Sequence, residues 1–314
     1  MNEQKRSYQI RNWREYNAAL VERGSLTVWF NEDQREQWYA ADRSGRRGAP
    51  KRYSDVAVQC GLVIREVFHL PLRATEGLMR SVIDLLGVEL ATPDYSTFSR
   101  RAAALTVSIG RCANLRPRHL VMDSTGLKVY GEGEWPVRRH GASKRRTWRK
   151  LHLTVDAQSH EVIAAELTAA FVGDAEVLPD LLEQLPAEEP LGSVAADGAY
   201  DTQACHEALL NRRALALIPP RAGAAAWPPL ADGRTHPRTA IVEHMRQHGR
   251  KAWKIHSGYH QRSLAETAMF RLKILFGERL RNHRFETQIT EAYARLAAMN
   301  SMTRLGMPET VAIY

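Results

Sequence analysis

The pattern of apolar and polar positions divides the chain near residue 115, into a region 1–115 and a region 116–314. In the first region the pattern is mostly helical. Ser54 is placed to cap a helix running to about Phe68, and Asp55 complements its dipole. A second helix from roughly Ala74 to Leu86 carries Leu78, Val82 and Leu85 on one face and stops at Gly87. Residues from Thr92 to Ser96 open a third helix, polar and basic, that contains Ser99, Arg100 and Arg101. The single strand expected here runs from Leu26 to Phe30, and Arg43 to Arg52 form a basic loop with glycine and proline. Three such helices suit a helix-turn-helix whose third helix enters a major groove, and equally a bundle used for packing or dimerisation.

In the second region the elements run strand, strand, strand, helix, strand, helix, strand, then a long insertion and a last helix. His119 to Met122 and Ser193 to Ala196 are short, mainly apolar runs, each followed by an aspartate (Asp123, Asp197) and a nearby glycine. Such runs suit buried central strands. An acid at the C-terminal end of a strand lies at the sheet edge, where open α/β sheets put their ligands. Alone, either aspartate reads as well as a turn or cap residue. Strands are also expected over Lys150 to Val155 and Val162 to Leu167, joined by a hairpin turn at Asp156 to His160. Asp174 is placed to cap the helix leading to Leu185, Asp201 or Thr202 to cap the next, and Leu215 to Ile218 form the last strand. Pro219 to Pro237 reads as loop, within an insertion near 219–258. The order predicts an α/β domain with a mixed sheet.

Candidate chemistry concentrates after the insertion. At about 100° per residue, Tyr259, Arg262 and Lys273 fall within roughly 40° of Glu266 on a helical wheel. One helix face would then carry a carboxylate, two cations and a phenol. Carboxylates suit Mg²⁺ and the cations suit phosphate oxygens. A second basic patch, Arg138 to Lys150, has seven Lys/Arg and no acid and encloses Trp148. Its Arg145, Arg146, Arg149 and Lys150 suit phosphates, and Trp148 an exposed base; a solvated hairpin with a buried tryptophan is the plain alternative. His248 and His256, beside Arg and Lys, lack zinc-site spacing and read as a phosphate-contacting or solvated segment.

The net charge of +9 suits a polyanionic partner. No stretch approaches the ~20 apolar residues needed to span a bilayer, and Met1 to Arg6 lack a signal-peptide core. Cys60, Cys112 and Cys205 stand far apart, which argues against a zinc site or disulfide framework and fits a reducing cytoplasm.

The sequence Asp123-Ser124-Thr125-Gly126, the sequence Ala196 to Asp201, and the spacing Tyr259-x2-Arg262-x3-Glu266-x6-Lys273 resemble bacterial insertion-sequence DDE transposases of the IS-four/IS-five group. The last spacing matches that group's Y-R-E-K signature at all four positions. Arg149 to His152, Gly249 to Lys251, Ser263 to Thr267 and Leu305 to Pro308 also match. The likeness covers nearly the whole chain from about Asn12, with no departure at a catalytic position.

The resemblance implies an RNase H-like catalytic domain behind a mostly helical N-terminal domain. It implies cleavage at the element ends, then strand transfer of the 3′-hydroxyl into target DNA, in a synaptic complex of two or more copies. Asp123, Asp197 and Glu266 would hold two Mg²⁺ ions, or Mn²⁺ in their place, about 3.5–4 Å apart. Tyr259, Arg262 and Lys273, with Arg100 and Arg101 of the third helix, would contact double-stranded DNA at the terminal inverted repeats. Two other readings share these residues: an RNase H-like nuclease acting on DNA junctions, and a silent, transposase-derived DNA-binding protein.

Overall fold

A computed structural model describes residues 7–41, 51–112, 116–129 and 148–313. Arg145, Arg146 and most of the basic loop 43–52 lie outside these residues, so the expectations placed on them stand as they were. The chain groups into two compact units, Met1–Gly110 with Tyr293–Tyr314, and Arg111–Ala292. The cut lies close to the expected one, but the C-terminal segment returns to the first unit. Long-range pairing draws it there, and local periodicity carries no trace of such pairing.

In the first unit, β1 (Ser7–Ile10) pairs antiparallel with the chain's last strand, Thr310–Ile313. Six helices follow: α1 (Trp13–Glu22), α2 (Leu26–Trp29), α3 (Glu32–Glu36), α4 (Asp55–Val67), α5 (Leu72–Leu85) and α6 (Tyr95–Ala102). The strand expected over Leu26 to Phe30 is thus a helical turn. Trp29 and Phe30 are both buried, and the Trp29 indole donates to Arg23 O at 2.9 Å, so the aromatics do not alternate across a sheet. Ser54 caps α4 by accepting from Ala57 N, and Asp94 caps α6 by accepting from Thr97 N at 2.8 Å. The buried stripe of α5 is Thr75, Met79, Val82 and Ile83, whereas Leu85 is 82% exposed. The stripe is set by α4, where Gly61 admits Met79 and Phe98 so closely that a Cβ there would stand 2.3 Å from the Phe98 ring.

The second unit holds a six-stranded mixed sheet. β2 (Arg118–Val129), β3 (Trp148–Asp156) and β4 (Val162–Ala169) form an antiparallel meander. After α7 (Asp174–Glu183), β5 (Leu191–Ala195) adds parallel to β2. After α8 (Gln203–Asn211), β6 (Leu215–Leu217) adds parallel to β5. The order is β4-β3-β2-β5-β6, with a short sixth strand, β7 (Arg279–Leu280), pairing parallel with the end of β2, and it is the RNase H-like topology that the resemblance implies. Gly173, not Asp174, occupies the cap position of α7, and Thr202 caps α8.

The remaining elements are α9 (Pro237–His256), α10 (Ser263–Phe276), β7 (Arg279–Leu280), α11 (Phe285–Leu305) and β8 (Thr310–Ile313). The second half of the expected loop insertion is therefore helical. It is kinked at Gly249, whose φ of 84° needs glycine. Leu120, Met122, Ile163, Leu178, Leu181 and Leu209 are buried on the sheet face covered by α7 and α8. Each such side chain contributes roughly 1.5–3 kcal/mol by leaving water. On the other face α10 packs against β2 and β3. No helix among the described residues is long and apolar enough to cross a membrane.

Candidate active site

β2 runs well past Asp123, because β3 pairs with it from Leu120 to Lys128. Asp123 is therefore mid-strand, a correction to its expected place at a strand end. On the side of β5, however, the ladder stops at the rung Val121↔Ala195. Asp123 and Asp197 each stand two residues beyond that rung, Asp123 within β2 and Asp197 just past the end of β5. Side chains alternate along a strand, so Asp123 shares its face with Val121, away from Leu120 and Met122 and toward α10. Past the end of β5, Asp197 accepts from Ala199 N at 2.8 Å, as cap of a 3-10 turn, Gly198–Tyr200.

Arg262 joins the third acid to this pair. Its Nη1 donates to Asp123 Oδ2 at 2.6 Å, and its Nη2 donates to Glu266. Asp123 Oδ1 accepts from Ser124 N at 2.8 Å. Burial raises the Asp123 pKa; the Ser124 N–H and the Arg262 charge oppose that shift, and the Asp197 charge adds to it. Among the described residues no three carboxylate, imidazole or thiol groups stand close enough together to enclose a metal ion. Instead the guanidinium lies as a cation between two carboxylates. The donors are hard oxygens of the kind Mg²⁺ and Mn²⁺ take.

The continuous helix face expected from Tyr259 to Lys273 is broken. Tyr259–Arg262 is a 3-10 turn, and α10 begins at Ser263. Tyr259 is 8% exposed, with its ring 5.5 Å from Trp253 in a small cluster with Ile241. Burial raises its phenol pKa, Arg262 opposing, so the hydroxyl stays protonated at neutral pH. Lys273 lies seven residues, hence about 10 Å, along α10 from Glu266. Its charge, after that of Lys128, lowers the pKa of Glu278.

Three residues expected on DNA turn toward the protein. The Trp148 ring lies so close to Gly126 that a Cβ there would meet it at 3.0 Å, with Lys128 Nζ 5.6 Å from the ring. Arg149 donates to Gln288 Oε1 at 2.8 Å and stacks 4.7 Å over Phe285. Lys150 donates to Val172 O at 3.1 Å and pairs with Asp174 at 2.8 Å. In the first unit, Arg101 donates to Tyr53 O at 2.9 Å and pairs with Asp55. Arg100 is exposed and bonds to Ser96 on its own helix.

The sequence reading missed two buried groups. His152 is fully enclosed, its Nε2 3.0 Å from Thr168 Oγ1. Arg238 forms a forked ion pair with Asp201. Asp201 closes the run that begins at Asp197, which was the available signal, but nothing local pointed to its partner in the insertion.

Two family models, each described as a transposase DDE domain, match residues 21–132 and 114–301. Among solved structures, the chain is similar to a piggyBac transposase synaptic complex with hairpin DNA, at 12% identity over 95% of this chain and 76% of that one, with a TM-score of 0.35. It is also similar to a Mos1 transposase paired-end complex with the left transposon end, at 14% identity over 59% of this chain and 63% of that one, with a TM-score of 0.22. With the second family match spanning well over half of the sequence, the chain belongs to the DDE transposase family.

Proposed function

We propose that this chain is the transposase of a bacterial insertion sequence, cutting DNA at the element ends and joining the freed 3′-hydroxyl to target DNA. The observation that carries the reading is the matched placement of Asp123 and Asp197 beyond one parallel rung, with Arg262 linking Asp123 to Glu266. Asp123, Asp197 and Glu266 are the residues that would hold Mg²⁺, or Mn²⁺ in its place. The metal supplies Lewis acidity and a more acidic bound water.

The chain's own groups do the rest. Asp123 sets its acceptor oxygens within the sheet and Asp197 sets its own on the turn directly after β5, and fixing both limits the reorganisation the reaction demands. Arg262 offers the forked donors that suit a phosphate oxygen pair. In the first step water oxygen bonds to phosphorus and gives up a proton, the P–O3′ bond breaks, and the leaving 3′-oxygen takes up a proton to become the free 3′-hydroxyl. In the second, that 3′-hydroxyl oxygen attacks a target phosphorus and displaces the target's own 3′-oxygen. The net charge of +9 favours double-stranded DNA, both the terminal inverted repeats and the target. Two or more copies would bring two ends together, in the bacterial cytoplasm at the nucleoid.

The test uses a duplex carrying the inverted repeats that flank the reading frame. Asp123→Ala, Asp197→Ala and Glu266→Ala should each abolish cleavage while leaving end binding within about twofold, since none makes a base contact. A variant that cleaves at the wild-type rate removes that residue from the site.

A further inference from the structure

The Asp197 turn is a single short turn, capped by Asp197 itself through Ala199 N at 2.8 Å. Its two internal backbone hydrogen bonds, Tyr200 N to Asp197 O and Asp201 N to Gly198 O, are 3.2 and 3.3 Å long, at the long end of the ordinary range. A three-residue 3-10 turn is also short of the length at which a helix gains cooperativity. The start of the turn is fixed by β5. Its far end is Asp201, whose side chain is only 1% exposed.

That carboxylate is held by the insertion. Arg238 Nε donates to Asp201 Oδ1 at 2.6 Å and Nη2 to Oδ2 at 2.8 Å, a fork matched to the carboxylate plane. The third guanidinium nitrogen, Nη1, donates to Ala225 O at 2.8 Å. The guanidinium also stacks 4.2 Å over Trp227, and His206 Nε2 lies 3.2 Å from Asp201 Oδ1. Trp227 and His236 each set their rings edgewise to His206. The insertion approaches the turn itself as well, since a Cβ on Gly198 would stand 3.2 Å from Pro219 O.

So complete an enclosure needs a reason other than stability, because a buried ion pair is often no more stabilising than apolar residues of the same volume. We infer that the Arg238–Asp201 pair is a latch by which the insertion fixes the turn after β5 and so holds Asp197 level with Asp123. Arg238 and Asp201 are positioning residues that act through Asp197, and the inference rests on the function proposed above. Residues that orient a ligating side chain in this way commonly change activity by 10–100-fold when altered.

The experiment compares the full chain with Arg238→Lys and Asp201→Asn. It measures cleavage at saturating end DNA, the Kd for that DNA, and hydrogen exchange of the peptide spanning 197–201. Arg238→Lys keeps the charge but cannot fork to both carboxylate oxygens while holding Ala225 O. Both variants should lose cleavage rate by about 10–100-fold, keep the Kd within about twofold, and exchange faster at 197–201 than at β2. If Asp201→Asn does not fold, Arg238→Lys decides. Wild-type cleavage in a folded variant overturns the latch, as does a weaker Kd with an unchanged saturated rate. Asp197→Ala runs alongside: if it cleaves normally, the proposed function has failed, whereas if it is dead and Arg238→Lys is fully active, only the latch has failed.

Discussion

Arg262 donates to Asp123 at 2.6 Å with one guanidinium nitrogen and to Glu266 with the other, so a single cation joins a strand acid to a helix acid. On the function proposed above, a divalent ion held by these acids would have to displace that cation. Arg262→Gln should therefore tighten Mn²⁺ binding to the DNA-free protein while lowering cleavage at saturating metal by about 10²-fold or more, as for loss of a donor to transition-state charge. Free Mn²⁺ followed by paramagnetic resonance, beside a cleavage assay, checks both halves. Weaker Mn²⁺ binding would show that the arginine supports the acids rather than competing for them.

The two arginines at the end of α6 should behave differently, although they are neighbours in sequence. Arg100 is exposed and can reach base edges, and an Arg-to-guanine contact supplies roughly 1–3 kcal/mol of discrimination. Arg100→Ala should lower the preference for element ends over random duplex. Arg101 holds Tyr53 O and Asp55, so Arg101→Ala should cost about 1 kcal/mol of stability and leave that preference alone. Titrations against both duplexes with a thermal melt separate these effects. An unchanged specificity ratio in Arg100→Ala would make the helices a packing or dimerisation element.

What the sequence revealed, and what it concealed, follows from the range of each interaction. The strand carrying Asp123 and the one leading to Asp197 were legible because buried central strands are runs of apolar residues, and the caps Ser54 and Thr202 because capping acts over three residues. The Tyr259-to-Lys273 spacing was legible as a signature but misleading as a helix. The wheel assumes one continuous period, and the 3-10 turn Tyr259–Arg262, with its tighter winding, changes the phase before the helix begins at Ser263. Arg149 and Lys150 look like a phosphate patch on charge alone. Their partners, Gln288 and Asp174, come from distant segments that no local pattern reports. The same holds for Arg238 and Asp201.

Acid sensitivity should trace in part to His152. Burial pushes its imidazole from an ordinary value of about 6.5 down to about 4, with Lys150 adding to the shift and Asp174 opposing it. Between those two values the unfolded chain holds a proton that the folded chain does not. Stability is therefore fully present above pH 6.5 and falls as pH drops toward 4, by on the order of 3 kcal/mol at 1.36 kcal/mol per unit. The His160 imidazole is lowered as well, chiefly by burial, and contributes in the same direction. The comparison is thus between the protein and His152→Gln, whose melting temperature should fall less over that interval. Parallel curves for the two proteins would remove His152 from the effect.

On the function proposed above, Asp123 and Asp197, set side by side beyond the parallel rung Val121↔Ala195, would act together as metal ligands for strand cleavage. The most direct measurement is cleavage of an element-end duplex by Asp197→Cys in Mg²⁺ and in Mn²⁺, beside Asp197→Ala. Thiolate is a poor ligand for Mg²⁺ and a better one for the softer Mn²⁺. Asp197→Cys should be inactive in Mg²⁺ and regain cleavage by about tenfold or more in Mn²⁺, while Asp197→Ala should stay inactive in both. Equal inactivity of the two variants in Mn²⁺, with end binding intact, would contradict it.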